Sequence, residues 1–471
     1  MTMKNFKLLL LLISVTLWLP IQAQQKVVLT AQQAIEMAIK NSVEVKNSEL
    51  DKKTQDITNR EIIGSATPQI NGTVSMNRFF NIPVTLLPDF ISPSVYNVLV
   101  DKGVRDGSGN PITRPTGEPQ FFPAQFGVPW TASIGFTVQQ LLFQPDVFVG
   151  IKARNAAMQY ANDKINLNKD QLKENIYKSY NTLLVGAKRL ELVNNSISRL
   201  TKLEHDTKEL YKNGFVEKLD VDKITVALNN LKSTQVTVVN SIDIGYAIFK
   251  QALGIPQLDT LVLADQLNEA SVKENILSQV EGFKYEDRSE IKLLNTVQTL
   301  QKLDLERYKL SYIPTIAAFW NYSENAQRQN FNFFKRGNAY PWFKTSIVGI
   351  NMNVPIWDGM QRQRRIEKAK INLEKTIIST NGVKAVIDME QAVVKKNLAS
   401  ALVTLDAQQR NMELAENVYH TTKKKFEQGL GSSFEVITSQ NELETTRDKY
   451  MEALLNAMNA KTALLKSIGK L

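Results

Sequence analysis

The chain has two histidines, His205 and His420, standing 215 residues apart. Imidazole titrates near neutral pH and binds metal ions, so a repeated pair would suit a pH response or weak metal binding. Fifteen residues beyond each histidine stands an acid, Asp220 and Glu435, at the same offset. Carboxylates facing one another across a narrow pore raise each other's pKa and attract cations. Plainer readings compete with both. Each histidine sits beside the hydrophobic seam rather than on it, as a solvated side chain would. Each acid falls in the first turn of an expected helix, where carboxylates favour the positive end of the dipole. With no cysteine in the chain there are no thiolate ligands or disulfides. No His/carboxylate cluster has zinc spacing, and no nucleophile motif or phosphate loop appears. We therefore expect no cofactor, no metal and no enzymatic activity.

The elements that must carry these residues are written twice. Leu210-Tyr211-Lys212-Asn213-Gly214-Phe215 precedes Lys425-Phe426-Glu427-Gln428-Gly429-Leu430 by 215 residues, and Val221, Leu228 and Gly254 pair with Val436, Leu443 and Gly469. Upstream, Glu44-Val45-Lys46, Ser65, Pro68 and Ile70 recur 246 residues later as Glu290-Ile291-Lys292, Ser311, Pro314 and Ile316. Two long copies argue for a pseudo-twofold protomer, not a solenoid. The difference between the offsets places an insertion in the first copy.

Composition bounds the class. Lys4 and Lys7 precede an apolar run from Leu8 to Leu19, then Pro20 and Ala23, the pattern of a cleaved secretory signal over residues 1–23. No later segment approaches the ~18 apolar residues of a membrane helix, so any membrane contact must come from strands. The net charge of +10 is spread along helical stretches. A nucleic-acid-binding face would need it focused among stacking aromatics, so no nucleic-acid partner is expected.

Proline placement divides the chain. Eight of 15 prolines lie between Pro83 and Pro129, none between Pro145 and Pro256, and none after Pro355. Proline costs a helix interior about 3 kcal/mol, so the proline-free stretches permit very long helices, turned at Gly214 and Gly429. We read residues 147–253 and 359–469 as two helical hairpins. An arm of about 66 residues would be roughly 100 Å long and must pack as a coiled coil. Val436, Leu443, Tyr450, Ala457 and Leu464 recur every seven residues, each followed three later by a small residue, as supercoiling requires.

Shorter helices, 30–64 and 288–312, precede each strand pair. Thr30 is a plausible N-cap for the first. After each the period changes to two. We expect strands 69–80 and 129–142, joined by a long Pro/Gly/Asn-rich loop 81–128, and strands 315–323 and 343–355. The first repeat then spans 24–254, a linker 255–287, and the second repeat 288–471. Apolar faces such as Ile70, Val74 and Met76 alternate with Asn71, Thr73 and Ser75, matching a transmembrane β-barrel, with aromatics as a girdle at the far ends. Hairpins packed on a soluble core are the alternative. Four strands cannot close a barrel, and an open edge cannot face lipid. Two chains would supply eight strands and three would supply twelve, both allowed.

In order and spacing these motifs resemble the TolC-type outer-membrane efflux family over essentially the whole mature chain. The matching stretches are Leu29-Thr30-Ala31-Gln32-Gln33-Ala34-Ile35; the strand-to-helix junctions Gln140-Leu141-Leu142-Phe143 and Val354-Pro355-Ile356-Trp357-Asp358-Gly359; and the hairpin tips around Gly214 and Gly429. The resemblance implies a mixed α/β membrane protein. Long antiparallel coiled-coil helices would form an α-barrel, and four transmembrane strands per chain would build a shared 12-stranded β-barrel in a homotrimer. It implies a passive exit duct of a tripartite efflux or type I secretion system, in the outer membrane of a Gram-negative bacterium and reaching into the periplasm. Partners would be outer-membrane lipid, a periplasmic adaptor (membrane fusion protein) and an inner-membrane transporter. Gly214, Phe215, Gly429 and Leu430 would dock the adaptor. Asp220, Glu435 and Phe426 would stand at the periplasmic entrance, and His205 and His420 would form a belt of six near it. Thr438 stands where the family has a second acid, and Phe426 and Gly431 replace its tyrosine and arginine latch. The competing reading is a periplasmic coiled-coil adaptor or scaffold without a pore, which would normally carry one hairpin between β-rich halves.

Overall fold

The computed structural model describes residues 26–114, 116–117, 121–267, 269–273 and 282–471. The expected signal segment lies outside the described residues, as does part of the expected linker. The chain divides into two units: residues 1–58, 153–305 and 367–471 form a helical unit, and residues 59–152 and 306–366 form a sheet unit.

The helical unit opens with β1 (Lys26–Leu29) and α1 (Ala31–Asn41). Thr30 caps α1 through a reciprocal box: its hydroxyl accepts from the Gln33 amide at 3.3 Å while Gln33 accepts from the Thr30 amide at 3.0 Å. At Ser42 the backbone leaves the helical region, and α2 (Val43–Ser65) follows, so the helix expected as one piece is broken. Further along, β6 (Thr260–Leu263) pairs in parallel with β1. The Tyr180 hydroxyl donates to the Leu29 carbonyl at 3.2 Å. Around it Ile35, Ala38, Ile176, Phe249 and Leu253 form one buried cluster.

The sheet unit contains β2 (Gln69–Arg78), a short hairpin of β3 (Thr85–Pro88) and β4 (Phe121–Ala124), and β5 (Trp130–Phe143). Between β3 and β4 lies α3 (Ile91–Asp101). The insertion is therefore not the plain loop expected. Asp89 accepts from the amides of Ile91 and Ser92 at the start of α3, a local nucleation that composition alone does not display. Two long helices follow, α4 (Pro145–Lys212) and α5 (Lys218–Leu253), then α6 (Glu269–Lys273) and α7 (Ser289–Leu310). The second copy supplies β7 (Thr315–Arg328), β8 (Phe343–Asn353), α8 (Gln361–Glu427) and α9 (Ser433–Ser467).

The four long strands form one antiparallel sheet in the order β2-β5-β7-β8. β7 runs five residues beyond the expected Ser323, because β5 pairs with it as far as Trp130 opposite Arg328. The register puts Ile70, Val74 and Met76 on the same face as Val138, Ile134 and Ala132. Trp320 and Val348 continue this face on the next strands. Much of it is apolar and uncovered, with Ile70, Val74, Val348 and Ile350 each 70% exposed or more, while Glu324 faces Lys344 across it and Ala132 and Ala326 near its far end are buried. β2 and β8 end the sheet, each with one neighbour.

The heptad residues of α9 are its core side. Val436, Leu443, Tyr450, Ala457 and Leu464 are all buried, and so are the small residues Ser439, Thr446, Ala453 and Ser467. The matching frame of α5 is buried at Val221, Leu228 and Phe249. It is only half-buried at Gln235 and Ile242, where the Gln235 amide donates to Asn194 Oδ1 at 2.7 Å.

Candidate functional site

Both hairpins of the helical unit turn through the same backbone device. At the first, the Phe215 amide donates to the Leu210 carbonyl and the Gly214 amide to the Tyr211 carbonyl, both at 3.0 Å. At the second, Leu430 donates to Lys425 at 2.9 Å and Gly429 to Phe426 at 3.0 Å. These are Schellman closures, which need a left-handed residue. Gly214 and Gly429 supply it with φ of +77° and +74°. A Cβ at either would meet nothing within 4 Å, so backbone conformation alone demands glycine there.

The next helices start on capping boxes, and the two candidate acids belong to them. The Glu217 amide donates to Asp220 Oδ2 at 3.3 Å. The Glu435 amide donates to the Ser432 hydroxyl at 3.3 Å, and the Ser432 amide points back to Glu435 Oε2 at 3.5 Å. Glu435 thus does the cap's work. Asp220 does more: its Oδ1 accepts from the hydroxyl of buried Ser433. One carboxylate therefore ties the start of α5 to the start of α9.

Phe426 is not at the surface. It is 7% exposed and packs with Leu203, Ile224, Tyr419 and Val436, so within its own chain it is core. The exposed apolar side chains are a duplicated set one step further on. Phe215 and Leu430 are 78% and 77% exposed, while Leu219 and Phe434 are 55% and 63% exposed. The histidines stay apart from these groups. His205 is exposed on α4, and His420, half-exposed on α8, has Nε2 3.9 Å from Glu416 Oε1.

A cluster that the sequence reading passed over lies among α4, α8 and α9. Arg447, its side chain 6% exposed, donates through Nη1 to Ser196 Oγ and through Nη2 to Glu416 Oε1, each at 2.9 Å. Ser196 Oγ donates to Glu444 Oε1 at 2.5 Å and accepts from Arg199 Nη2 at 2.8 Å. Gln440 Nε2 donates to the same Glu444 oxygen at 2.6 Å. Among the described residues three polar atoms of the cluster are buried without a hydrogen-bond partner: Arg199 Nε, the Tyr419 hydroxyl and Gln440 Oε1. Burial pushes the Glu444 carboxyl above its ordinary range, against the opposing pull of Ser196, Arg447 and Arg199. Burial, with repulsion from Arg199, lowers the Arg447 pKa. Ion pairs held this way are costly to desolvate, and an incompletely satisfied network is poorly locked. The signal that could have found it is asymmetry between the copies. Glu444 and Arg447 stand where the first copy has Asn229 and Lys232.

Comparison with known proteins bears on both units. A family model described as outer membrane efflux protein matches residues 310–470, which include β7, β8 and the second hairpin. No curated relative matches the chain in sequence. Among solved structures, CusC, described for conformational changes accompanying folding and transmembrane channel formation, is 13% identical with TM-score 0.69, over 93% of this chain and 92% of that one. The outer membrane protein VceC from Vibrio cholerae is 12% identical with TM-score 0.66, over 93% and 96%. The MtrE outer membrane channel of Neisseria gonorrhoeae, in its open state, is 12% identical with TM-score 0.63, over 93% and 88%. The resemblance to the TolC-type outer-membrane efflux family is thus borne out, by sequence in the second repeat and by fold over nearly the whole chain.

Proposed function

We propose that this chain, whose second repeat carries the outer membrane efflux signature, is one third of a passive exit duct. Three copies pool their sheets into a 12-stranded barrel in the outer membrane of a Gram-negative bacterium, and their hairpins form a helical barrel in the periplasm. The observation that carries this reading is the four-stranded sheet, with a face exposing Ile70, Val74, Val348 and Ile350 and an end strand on each side. An apolar face of this kind suits lipid, and lipid tolerates no unpaired edge. Joining β2 of one copy to β8 of the next removes every edge, and three copies give twelve strands.

The hairpin tips are the entrance. The Asp220–Ser433 bond holds the two hairpins of one copy together, and opening requires them to part. Exposed Phe215, Leu219, Leu430 and Phe434 offer apolar knobs to a periplasmic adaptor, which in turn couples the duct to an energised inner-membrane transporter. Gly214 and Gly429 set those knobs in place. Glu435, beside each entrance, adds negative charge to the ring formed by three copies. The presence of two hairpins and four paired long strands argues against a pore-less adaptor.

Electron microscopy of the detergent-extracted protein tests this reading. A threefold particle with a hollow helical body, conducting ions after reconstitution, is expected. A soluble monomer would end the proposal.

A further inference from the structure

At the end of the sheet away from the Phe143–Pro145 junction, the apolar face gives way to cations. The register sets Arg78 opposite Trp130, and Trp130 opposite Arg328, in one row across three strands. From Ile70 to Arg78 the strand advances roughly 27 Å at ~3.4 Å per residue, which at a barrel strand's tilt of ~40° is about 21 Å of height, most of the ~25 Å apolar band. Arg78 therefore stands at the rim of that band.

The connection 329–342 folds over this same face. Ala132 and Ala326, both on it, are 6% and 1% exposed, because Phe333, Trp130 and Trp342 cover them. Ring contacts run from Trp130 to Phe331 at 5.1 Å and on to Phe334 at 6.1 Å. Phe331 and Phe334 are 51% and 82% exposed. Arg328 is buried as the anchor of this loop, donating to the carbonyls of Gln327 and Pro341 at 2.9 Å. Next to the exposed rings come Lys335 and Arg336, both exposed.

Charge complementarity names what this collar meets. Arg78 lies over the rings of Phe80 and Trp130, at 4.9 and 5.3 Å. Among the described residues Arg78 makes no ion pair, and Lys335 contacts the Tyr340 ring at 6.0 Å rather than an acid. The acid on this face, Glu324, is already engaged by the Tyr322 hydroxyl at 2.9 Å and faces Lys344 at 3.9 Å. What remains is a set of unneutralised cations beside rings that fit acyl chains.

We propose that Arg78, Lys335 and Arg336, with Phe331 and Phe334, bind the phosphorylated headgroups of outer-leaflet glycolipid. The inference rests on the membrane reading of the sheet and adds the lipid that the sheet selects. Guanidinium and ammonium groups bind the phosphates, bidentately in the case of arginine, and the exposed rings enter the acyl layer below.

Native mass spectrometry of the detergent-solubilised full chain, titrated with diphosphorylated lipid A, its dephosphorylated form or inorganic phosphate, tests this. At least tenfold preference for the phosphorylated lipid is expected. Each of R78Q, K335Q and R336Q should cost about fivefold, the worth of one basic residue at an anionic membrane surface, and the triple variant about a hundredfold. Conductance and the threefold particle should be unchanged in the triple variant, since all three side chains are exposed. Equal retention of both lipids, an unaffected triple variant, or equal competition by millimolar inorganic phosphate would overturn the proposal. A wild-type protein that conducts yet shows no lipid preference would sink this inference alone. One that neither enters vesicles nor conducts would sink the duct reading with it.

Discussion

Arg447→Met isolates the energetics of the buried cluster. The wild-type guanidinium is nearly sealed from solvent and bonds Ser196 and Glu416 while standing 3.5 Å from Glu444. Removing it leaves the partly buried Glu444 carboxylate with Arg199, through Ser196, as its nearby cation among the described residues. Losing one partner of a fully buried pair costs about 3–5 kcal/mol, and with both acids partly open to solvent a loss of about 2–3 kcal/mol is expected here. Methionine keeps most of the volume, so the charge term dominates over the cavity term. The double variant Arg447→Met/Glu444→Leu removes both charges and should recover most of the loss. The pH dependence has a definite sign. Glu444 has its folded pKa raised above the unfolded value, so the folded state binds the extra proton and stability falls as pH rises through that window. Without Arg447 the carboxyl is pushed higher still, and the window widens upward. The cost of Arg447→Met should therefore be largest near pH 8 and shrink towards pH 5. Unfolding followed by far-ultraviolet circular dichroism of the detergent-solubilised protein, at both pH values, with a double-mutant cycle, measures each quantity. A loss below about 1 kcal/mol at pH 8, or a double variant as unstable as the sum of the singles, would refute the argument.

Three further outcomes follow from local geometry. Gly214→Val or Gly429→Val forces a β-branched residue to positive φ, at about 1–2 kcal/mol or more. Adaptor capture in a cross-linking assay should fall while the oligomer survives, and equal loss of both would contradict the assignment. Asp220→Asn weakens the tie to Ser433 and should raise single-channel open probability in planar bilayers without changing oligomeric state. An unchanged open probability would mean the bond does not hold the entrance. Gly135→Val has the opposite signature. A Cβ there would sit 2.4 Å from the Tyr322 carbonyl oxygen, with backbone that cannot retreat, so electrophoresis without heating should show the oligomer lost while the helical unit keeps its circular-dichroism signal.

Much of the fold was legible because it rests on period. Heptads in α9, alternation in β2 and β5, and glycines at equal offsets each determine where side chains point, and the structure follows them. The breaks came where a local hydrogen bond competes with period. Ser42 interrupts the opening helix. Asp89 nucleates α3 inside a proline-rich stretch that composition reads as loop. The extra length of β7 came from its partner strand, which no local pattern encodes.

The sequence points to the residues of the hairpin tips, and the structure adds what each does within its own chain. Asp220 and Glu435, which the sequence offers as pore acids, start helices in the structure. The two meanings are compatible, because the same carboxylate can cap its own helix and face its counterparts in two other copies. Phe426 was aligned to an entrance and lies in the core, since a tip aromatic with a groove available in its own chain buries itself there. Glu444 and Arg447 were missed for a more general reason. Periodicity says that a position faces inward, whereas whether a charge is tolerated there depends on groups brought from other helices. Ser196 and Arg199 come from α4 and Glu416 from α8, more than two hundred residues away in the first case and about thirty in the second. A buried arginine beside a heptad in the second copy, with exposed Lys232 and Asn229 at the matching places of the first, therefore marks a contact that α9 makes and α5 does not.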